Sequence, residues 1–398
     1  MMQLRHLTLI NFRNYRQLEA DLSPGTTVLW GGNAAGKTSF LEAIFMLATT
    51  GSSRASAERE VIHWDAPFEL GIPPFARVVG RVQREDGPVT VEMVVQRRVD
   101  SQGELTGRCQ KRFLVNRRNV RTRDVAGRIR AVLFEPEDLR LITGSPARRR
   151  DYLDAVLMQA DPLYWQSLRR YQRVVTQRNQ LLRRWRETGI PAAAMEQISF
   201  WNREMVQRGA YLILARQRLI DALAPDLERL HEQLAGLPQR FRLDYLPQVD
   251  CDPRADEESV AYTFRRALER VWPRERERGV TMLGPHRDDI GFFLGEMDLA
   301  IYGSRGQQRT ATVALKLAQV EWFRQQGGEA PIVLLDDVLS ELDPERQGYL
   351  QGWLLEGGYQ VVITTTDLHV FRPITLEQAY VYRIEAGQWS QHQPDSPG

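Results

Sequence analysis

The chain has 398 residues, with 53 basic side chains against 51 acidic ones and a formal net charge of +2. A composition of 42% hydrophobic and 26% charged residues belongs to a folded globular chain and excludes wholesale disorder. No run of about 18 apolar residues occurs, which excludes a helical membrane span. The polar start predicts no secretory leader. The two cysteines, Cys109 and Cys251, cannot build a disulfide framework and point to a reducing cytoplasm. Lys37, Lys111 and Lys316 are the only lysines; every other basic residue is arginine.

In chain order, partial alternation predicts a strand in LTLINF, and TTVLW is a short apolar strand before a glycine-rich turn. Leu41, Ile44, Phe45 and Leu47 then recur at helical spacing. Residues 76–99 read as two strands around the turn Glu85-Asp86-Gly87-Pro88, and 110–134 as a second hairpin ending in the apolar AVLF. From Pro146 to Arg278 the pattern is helical, with three or more amphipathic helices and a break at Gly189-Ile190-Pro191. Strand signals return around Ile290–Ile301, and a helix runs from Gly306 to Gln325. The strands PIVLLDD and VVITTT follow, and the polar tail after Gly387 is expected to fray. The expected architecture is a discontinuous α/β head, residues 1–135 and 281–398, interrupted by an α-helical lobe at 136–280.

The strongest motif is Gly31-x4-Gly36-Lys37-Thr38, which follows a predicted strand and opens a predicted helix, the context of a P-loop. Backbone N–H groups across Gly31, Gly32, Asn33, Ala34, Ala35, Gly36, Lys37, Thr38 and Ser39 would wrap phosphate oxygens. Lys37 would reach the β- and γ-phosphates of ATP, the Thr38 hydroxyl would ligate Mg²⁺, and the helix N-terminus adds a favourable dipole. Ile332–Asp337 is an apolar strand ending in two carboxylates, the shape of a Walker B. Asp336 would then hold Mg²⁺ and Asp337 would position or deprotonate the attacking water; taken alone, the pair fits a helix N-cap equally well.

Ser304, Gly306 and Gln307 precede the helix that leads to this strand. A Ser-x-Gly at a helix start offers a hydroxyl and exposed N–H groups to an anion, as an ABC signature does. A P-loop and a signature of one head do not usually close on the same nucleotide, so the pattern predicts two heads sandwiching two ATPs as a symmetric homodimer. Ser340-Glu341-Leu342-Asp343-Pro344 fits a D-loop crossing such a dimer, or a turn and helix cap. Thr364-Thr365-Thr366-Asp367 stands where a switch histidine is usual, and His369 lies nearby. With Asp337 in place of a glutamate, this suggests slow hydrolysis.

These residues together resemble the RecF family of SMC-like bacterial recombination-mediator ATPases along nearly the whole chain. The matching segments are LTLINFRNY, FLEAI after the P-loop, LFEPEDLRLITGSPARRRDYLD, LGPHRDDIGF, SRGQQRTATVALKLAQ and IVLLDDVLSELD. The resemblance implies an ABC/SMC-type P-loop ATPase head with a mixed β-sheet core and an inserted α-helical lobe forming a short arm. It implies an ATP-dependent dimer that binds double-stranded DNA and single-strand/duplex junctions. Work with RecR and RecO to load RecA in gap and replication-fork repair follows from the same likeness. By similarity, Arg13 would touch the nucleotide phosphates and Arg54 would serve near the γ-phosphate. Ala34 departs from the usual glycine, Arg305 from the usual glutamine, and no glutamine stands at the Q-loop position near Glu135.

DNA binding needs a basic face, because phosphate neutralisation supplies most non-specific affinity. Between Arg108 and Arg130, nine bases stand against one acid, with Lys111, Arg112, Arg117, Arg118, Arg121 and Arg123 the candidate contacts. Between Arg169 and Arg186, seven arginines and no acid are interleaved with Tyr171 and Trp185, and Arg169, Arg170 and Arg173 are the candidates. No base-reading motif is present, so structure-specific binding with a steep salt dependence is expected. An ABC transport ATPase would lack the clustered bases, and an SMC structural protein needs longer heptads than 136–280 can hold.

Overall fold

The computed structural model describes residues 2–391 apart from 70, 192, 253 and 386. The chain packs as two compact units, residues 1–138 with 316–398 and residues 139–315. Residues 281–315, grouped with the head on sequence grounds, pack in the second unit, and the chain re-enters the first inside helix Arg305–Gly327.

The first unit holds two six-stranded sheets. One is antiparallel, running in space through Tyr15–Asp21, Gln3–Phe12, Phe75–Arg84, Gly87–Val99, Leu105–Val115 and Arg118–Val120. The other places Thr26–Trp30, Val361–Thr365, Ile332–Asp336 and Ala131–Phe134 side by side in parallel. These four strands are apolar almost throughout and buried along nearly their whole length, as parallel strands covered on both faces must be. AVLF therefore does not close a hairpin: it pairs parallel with Ile332–Leu335 in the other sheet. The apolar run lacks alternation because neither face meets water. The tail after Gly387 is also ordered through Gln391, pairing antiparallel with Ala379–Glu385, while 392–398 lie outside the described residues.

Helix Lys37–Thr49 joins the two sheets into one core. Phe40, Ile44 and Leu47 pack with Leu7 and Leu9 of the antiparallel sheet and with Leu334 and Val362 of the parallel one. Gly80 is small where the helix presses on its strand, because a Cβ there would lie 2.7 Å from Leu47 Cδ1.

The second unit is mainly helical: Pro146–Ala160, Pro162–Thr188, Ala194–Ala235 and Glu257–Arg278. MVQRGAYLILARQRLIDAL and DLERLHEQLA, which read in sequence as two of the separate amphipathic helices, fall on one 42-residue helix, Ala194–Ala235, that runs through Pro225. Burial along one face outweighs the one backbone donor that proline removes. A three-stranded antiparallel sheet completes the unit, Met297–Asp298, Asp289–Leu294 and Phe241–Leu246. Among the described residues no helix is long and apolar enough to cross a membrane.

Candidate nucleotide site and basic faces

The loop between strand Thr26–Trp30 and helix Lys37–Thr49 is shaped by its glycines. A Cβ on Gly31 would meet the Ile384 carbonyl oxygen at 2.2 Å, so this position accepts only glycine. Gly36 turns with φ 116°, and a Cβ there would lie 2.7 Å from Asn14 Nδ2 and Tyr15 Oη. The Tyr15 hydroxyl donates to the Gly36 carbonyl at 3.0 Å and fixes the turn. Ala34 takes the left-handed φ of 61° without being glycine, at a cost of about 1 kcal/mol or more. Gly32, Asn33 and Ala34 are exposed, and the first N–H groups of the helix have no intrahelical acceptor. The loop thus presents donors and a positive helix end to one side of a cavity of about 460 Å³. Ala35, Lys37, Thr38, Ser39, Asp336 and Asp337 line it.

Lys37 is largely buried and donates to the carbonyls of Gly31 and Gly32, each at 2.8 Å. Burial lowers its pKa, against the pull of Asp337 and Asp336. Asp336 ends its buried strand and accepts from the Thr38 hydroxyl at 2.9 Å and the Thr364 hydroxyl at 2.7 Å. The N-cap alternative for the carboxylate pair is thereby removed for Asp336, since its acceptors serve side chains of other elements. Asp337 takes a left-handed φ of 53°, and its N–H points back to Thr364. Burial pushes its carboxyl up, and Lys37 opposes this.

Thr38 and Asp336 juxtapose a hydroxyl and a carboxylate oxygen, the hard donors Mg²⁺ prefers. Among the described residues no group of three acidic, histidine or cysteine side chains could hold a metal by itself. That fits an ion completed by substrate oxygens and water, and the donor set fits Mg²⁺ of Mg-ATP.

Arg13, expected at the phosphates, lines the cavity, but its guanidinium is held bidentate by Glu42 at 2.6 and 2.8 Å, with Nη1 on the Glu60 carbonyl at 2.9 Å. Arg54 reaches Asp336 and Glu135, each at 2.7 Å. Burial raises the pKa of Glu135, and the Arg54 guanidinium opposes this. Sequence reasoning missed Glu42 and the carboxylate cage around Arg54, because neither partner is near in sequence. Thr366 lines the cavity, whereas His369 is exposed and its N–H is bound by Asp367. Asp343 caps helix Pro344–Glu356, accepting from the Arg346 N–H at 3.1 Å, so the turn-and-cap reading of the D-loop segment is realised within the chain.

In the second unit, Ser304 and Gln307 form a reciprocal capping box: the Gln307 N–H donates to Ser304 Oγ at 3.2 Å, and the Ser304 N–H to Gln307 Oε1 at 2.9 Å. Ser304, Arg305 and Gly306 are exposed, and a Cβ on Gly306 would meet only Ser304 Oγ, at 4.0 Å. This helix start is open to an anion.

The basic segments separate by environment. Arg112, Arg117 and Arg118 are exposed around the turn Asn116-Arg117, where both residues take positive φ and join Leu105–Val115 to the edge strand Arg118–Val120. Lys111 instead pairs with Glu58 at 2.8 Å, and Arg121 and Arg123 both lie against Asp124. On helix Pro162–Thr188, Arg169, Arg170 and Arg173 are exposed, and Arg169 stacks over Trp165 at 5.6 Å. Arg178, counted in the same run, is fully buried against Glu275 at 2.5 Å, with Asn202 and Thr281 on its other nitrogens. It is a structural arginine.

The RecF/RecN/SMC N-terminal domain family matches residues 3–387. A DNA replication and repair protein RecF of Chloroflexus aggregans is 43% identical over 388 residues, covering 97% of this chain and 99% of the relative. The protein of that name from Heliobacterium modesticaldum is 38% identical over 391 residues, covering 98% and 99%. A solved structure of the recombination mediator protein RecF with ATP, described as part of the RecFOR pathway, superposes with a TM-score of 0.85 at 26% identity over 98% of each chain. An SMC head domain from Pyrococcus furiosus, at 15% identity over 98% of this chain and 96% of that one, shares the fold with a TM-score of 0.52. The architecture is that of an ABC/SMC-type ATPase head with an inserted helical lobe.

Proposed function

The chain belongs to the RecF family, within the wider RecF/RecN/SMC group, and on that footing we propose that it is an ATP-operated clamp for duplex DNA in recombinational and gap repair. The observation that carries the reading is the meeting of Thr38 with Asp336 beneath the phosphate loop, from opposite ends of the chain. It couples the residue that opens the P-loop helix to the carboxylate that ends the apolar strand, as a Mg-ATP site requires.

In this reading, the loop N–H groups from Gly31 to Ser39 bind the phosphates. Lys37 exchanges its two carbonyl partners for phosphate oxygens. Thr38 and Asp336 would hold Mg²⁺, which would supply positive charge against the phosphates. Asp337, directly after the same strand and lining the same cavity, orients the attacking water. Ser304, Gly306 and Gln307 of a second copy complete the site, so ATP drives homodimer formation and slow, DNA-stimulated hydrolysis releases it. Arg112, Arg117 and Arg118 on the sheet, with Arg169, Arg170 and Arg173 on the helical lobe, contact DNA phosphates at single-strand/duplex junctions. Within the cytoplasm, RecR and RecO would be the partners through which the clamp assists RecA loading.

Light scattering with ATP, with ADP and without nucleotide tests this. ATP alone should give a dimer mass, and Ser304→Arg should abolish it while leaving ATP binding intact. A Ser304→Arg protein that still dimerises on ATP overturns the sandwich.

A further inference from the structure

We infer that Trp64, backed by His63, is a stacking platform for the purine base of the nucleotide, which extends the proposed ATP site and rests on that reading. The cavity beside the P-loop has two chemically different ends. Gly36, Lys37, Thr38 and Ser39 offer donors and positive charge at one, whereas Ile62 and Trp64 contribute apolar wall. A triphosphate uses only the polar end. The apolar wall calls for a flat, weakly polar group on the same ligand, and a nucleobase is that group.

The exposure of Trp64 supports this. The residue is 88% exposed, although the two residues that precede it are anchored. Ile62 and His63 are both 7% exposed. The His63 N–H donates to the Asn11 carbonyl at 2.8 Å, and the Arg13 N–H donates to the Val61 carbonyl at 2.8 Å, so the segment is tied to the C-terminal end of strand Gln3–Phe12. His63 Nδ1 accepts from the Asp65 N–H at 3.1 Å, which fixes the imidazole plane. That ring lies against the indole with centroids 5.7 Å apart and planes inclined by 22°. One face of Trp64 is therefore supported and the other is left free, on a rigid stretch of backbone. A fixed aromatic face binds bases without reading their edges, and larger rings stack better. The platform thus favours purine over pyrimidine triphosphates and adds affinity that the phosphate loop alone does not give.

Isothermal titration of the full-length protein with ATP, UTP and inorganic tripolyphosphate tests this. Trp64→Ala should weaken ATP about ten-fold, the size of one base–aromatic stack, narrow the preference for ATP over UTP, and leave tripolyphosphate unchanged. Trp64→Phe should retain most of the ATP affinity. Unchanged ATP affinity in Trp64→Ala overturns the platform, and so does an equal loss for ATP and tripolyphosphate. Loss of DNA retention with nucleotide binding intact would likewise overturn it, placing Trp64 at a DNA surface. Lys37→Met reads the phosphate loop separately and should lose both ATP and tripolyphosphate. If it loses neither, the P-loop reading fails, whatever Trp64→Ala does to the base.

Discussion

Arg54 and Asp336 stand 2.7 Å apart, guanidinium Nη2 to carboxylate Oδ2, although 282 residues separate them in the chain. The two oxygens of Asp336 are thereby divided: Oδ1 serves Thr38 and Thr364, and Oδ2 faces Arg54. Arg54 also holds Glu135 at 2.7 Å, so one cation compensates two carboxylates that are largely buried. Arg54→Ala should cost about 1–2 kcal/mol, less than the roughly 3–5 kcal/mol of a fully buried pair because the arginine is one-third exposed. Mg²⁺ without nucleotide should restore that loss in the variant and do little for wild type. Thermal melts with EDTA and with Mg²⁺ check both outcomes.

The Thr38–Asp336 hydrogen bond predicts a metal-dependent defect. Thr38→Ala removes one hard donor and leaves the loop backbone in place. ATP affinity in Mg²⁺ should fall by about 1–3 kcal/mol, or roughly 5- to 150-fold, while affinity in EDTA stays near wild type. Equal loss in both conditions would mean that Thr38 shapes the loop and does not bind the ion. Asp336→Asn should bind ATP weakly with Mg²⁺ and hydrolyse it far more slowly.

The segment Gly284-Pro285-His286-Arg287-Asp288-Asp289, one of those on which the resemblance rested, serves the fold. Arg216 donates to the Pro285 carbonyl at 2.6 Å, Gln248 N–H donates to Asp288 at 2.8 Å, and Arg149 holds Asp289 at 2.5 and 2.9 Å. His286 lies 2.7 Å from the Tyr171 hydroxyl, and its pKa is pushed down to about 4, first by burial and then by the charge of Arg287. The folded state therefore resists the proton that the unfolded chain accepts near pH 6.5. Stability from this group is complete above that pH and is lost as pH falls from about 6.5 to about 4, by about 3 kcal/mol in all. The buried Asp288, whose pKa is raised, works in the opposite sense, so the comparison must be made at one position. The gap in urea midpoint between wild type and His286→Gln should shrink or reverse between pH 7.5 and pH 4.5. A gap that does not move with pH would remove His286 as the source.

Much of the nucleotide site was legible because its signals are local. The glycine spacing, the apolar strands and the terminal carboxylates each read within a few residues. What brings them together was not, since Glu42 on Arg13 and Glu135 on Arg54 depend on tertiary contacts. AVLF and Ile332–Asp336 look alike in sequence, and periodicity cannot tell which sheet an all-apolar strand joins. Arg178 was hidden by the same limit. A run of arginines counts charge but not helix face, and position 178 falls on the stripe with Tyr171, Val174, Leu182 and Trp185. Glu275→Ala should therefore strand a buried guanidinium and cost about 3–5 kcal/mol, measurable as a lower urea midpoint with no direct effect on ATP affinity.

The remaining arginines give a quantitative test of DNA contact. Arg112, Arg117 and Arg118 are exposed and form no ion pair among the described residues, so they are free to exchange solvent counterions for DNA phosphates. Each phosphate contact should contribute about 0.9 to the slope of log K against log salt on duplex DNA. Replacing all three by alanine should then flatten the slope by about 2.7, and replacing Arg169, Arg170 and Arg173 should do the same from the helical lobe. Lys111→Ala should change the slope least, because Glu58 already neutralises that amine. Binding isotherms from 50 to 300 mM salt, on order-of-magnitude spacing of protein concentration, separate these outcomes. If the first triple variant keeps the wild-type slope, the sheet face does not touch DNA, and the helical lobe must carry the contacts alone.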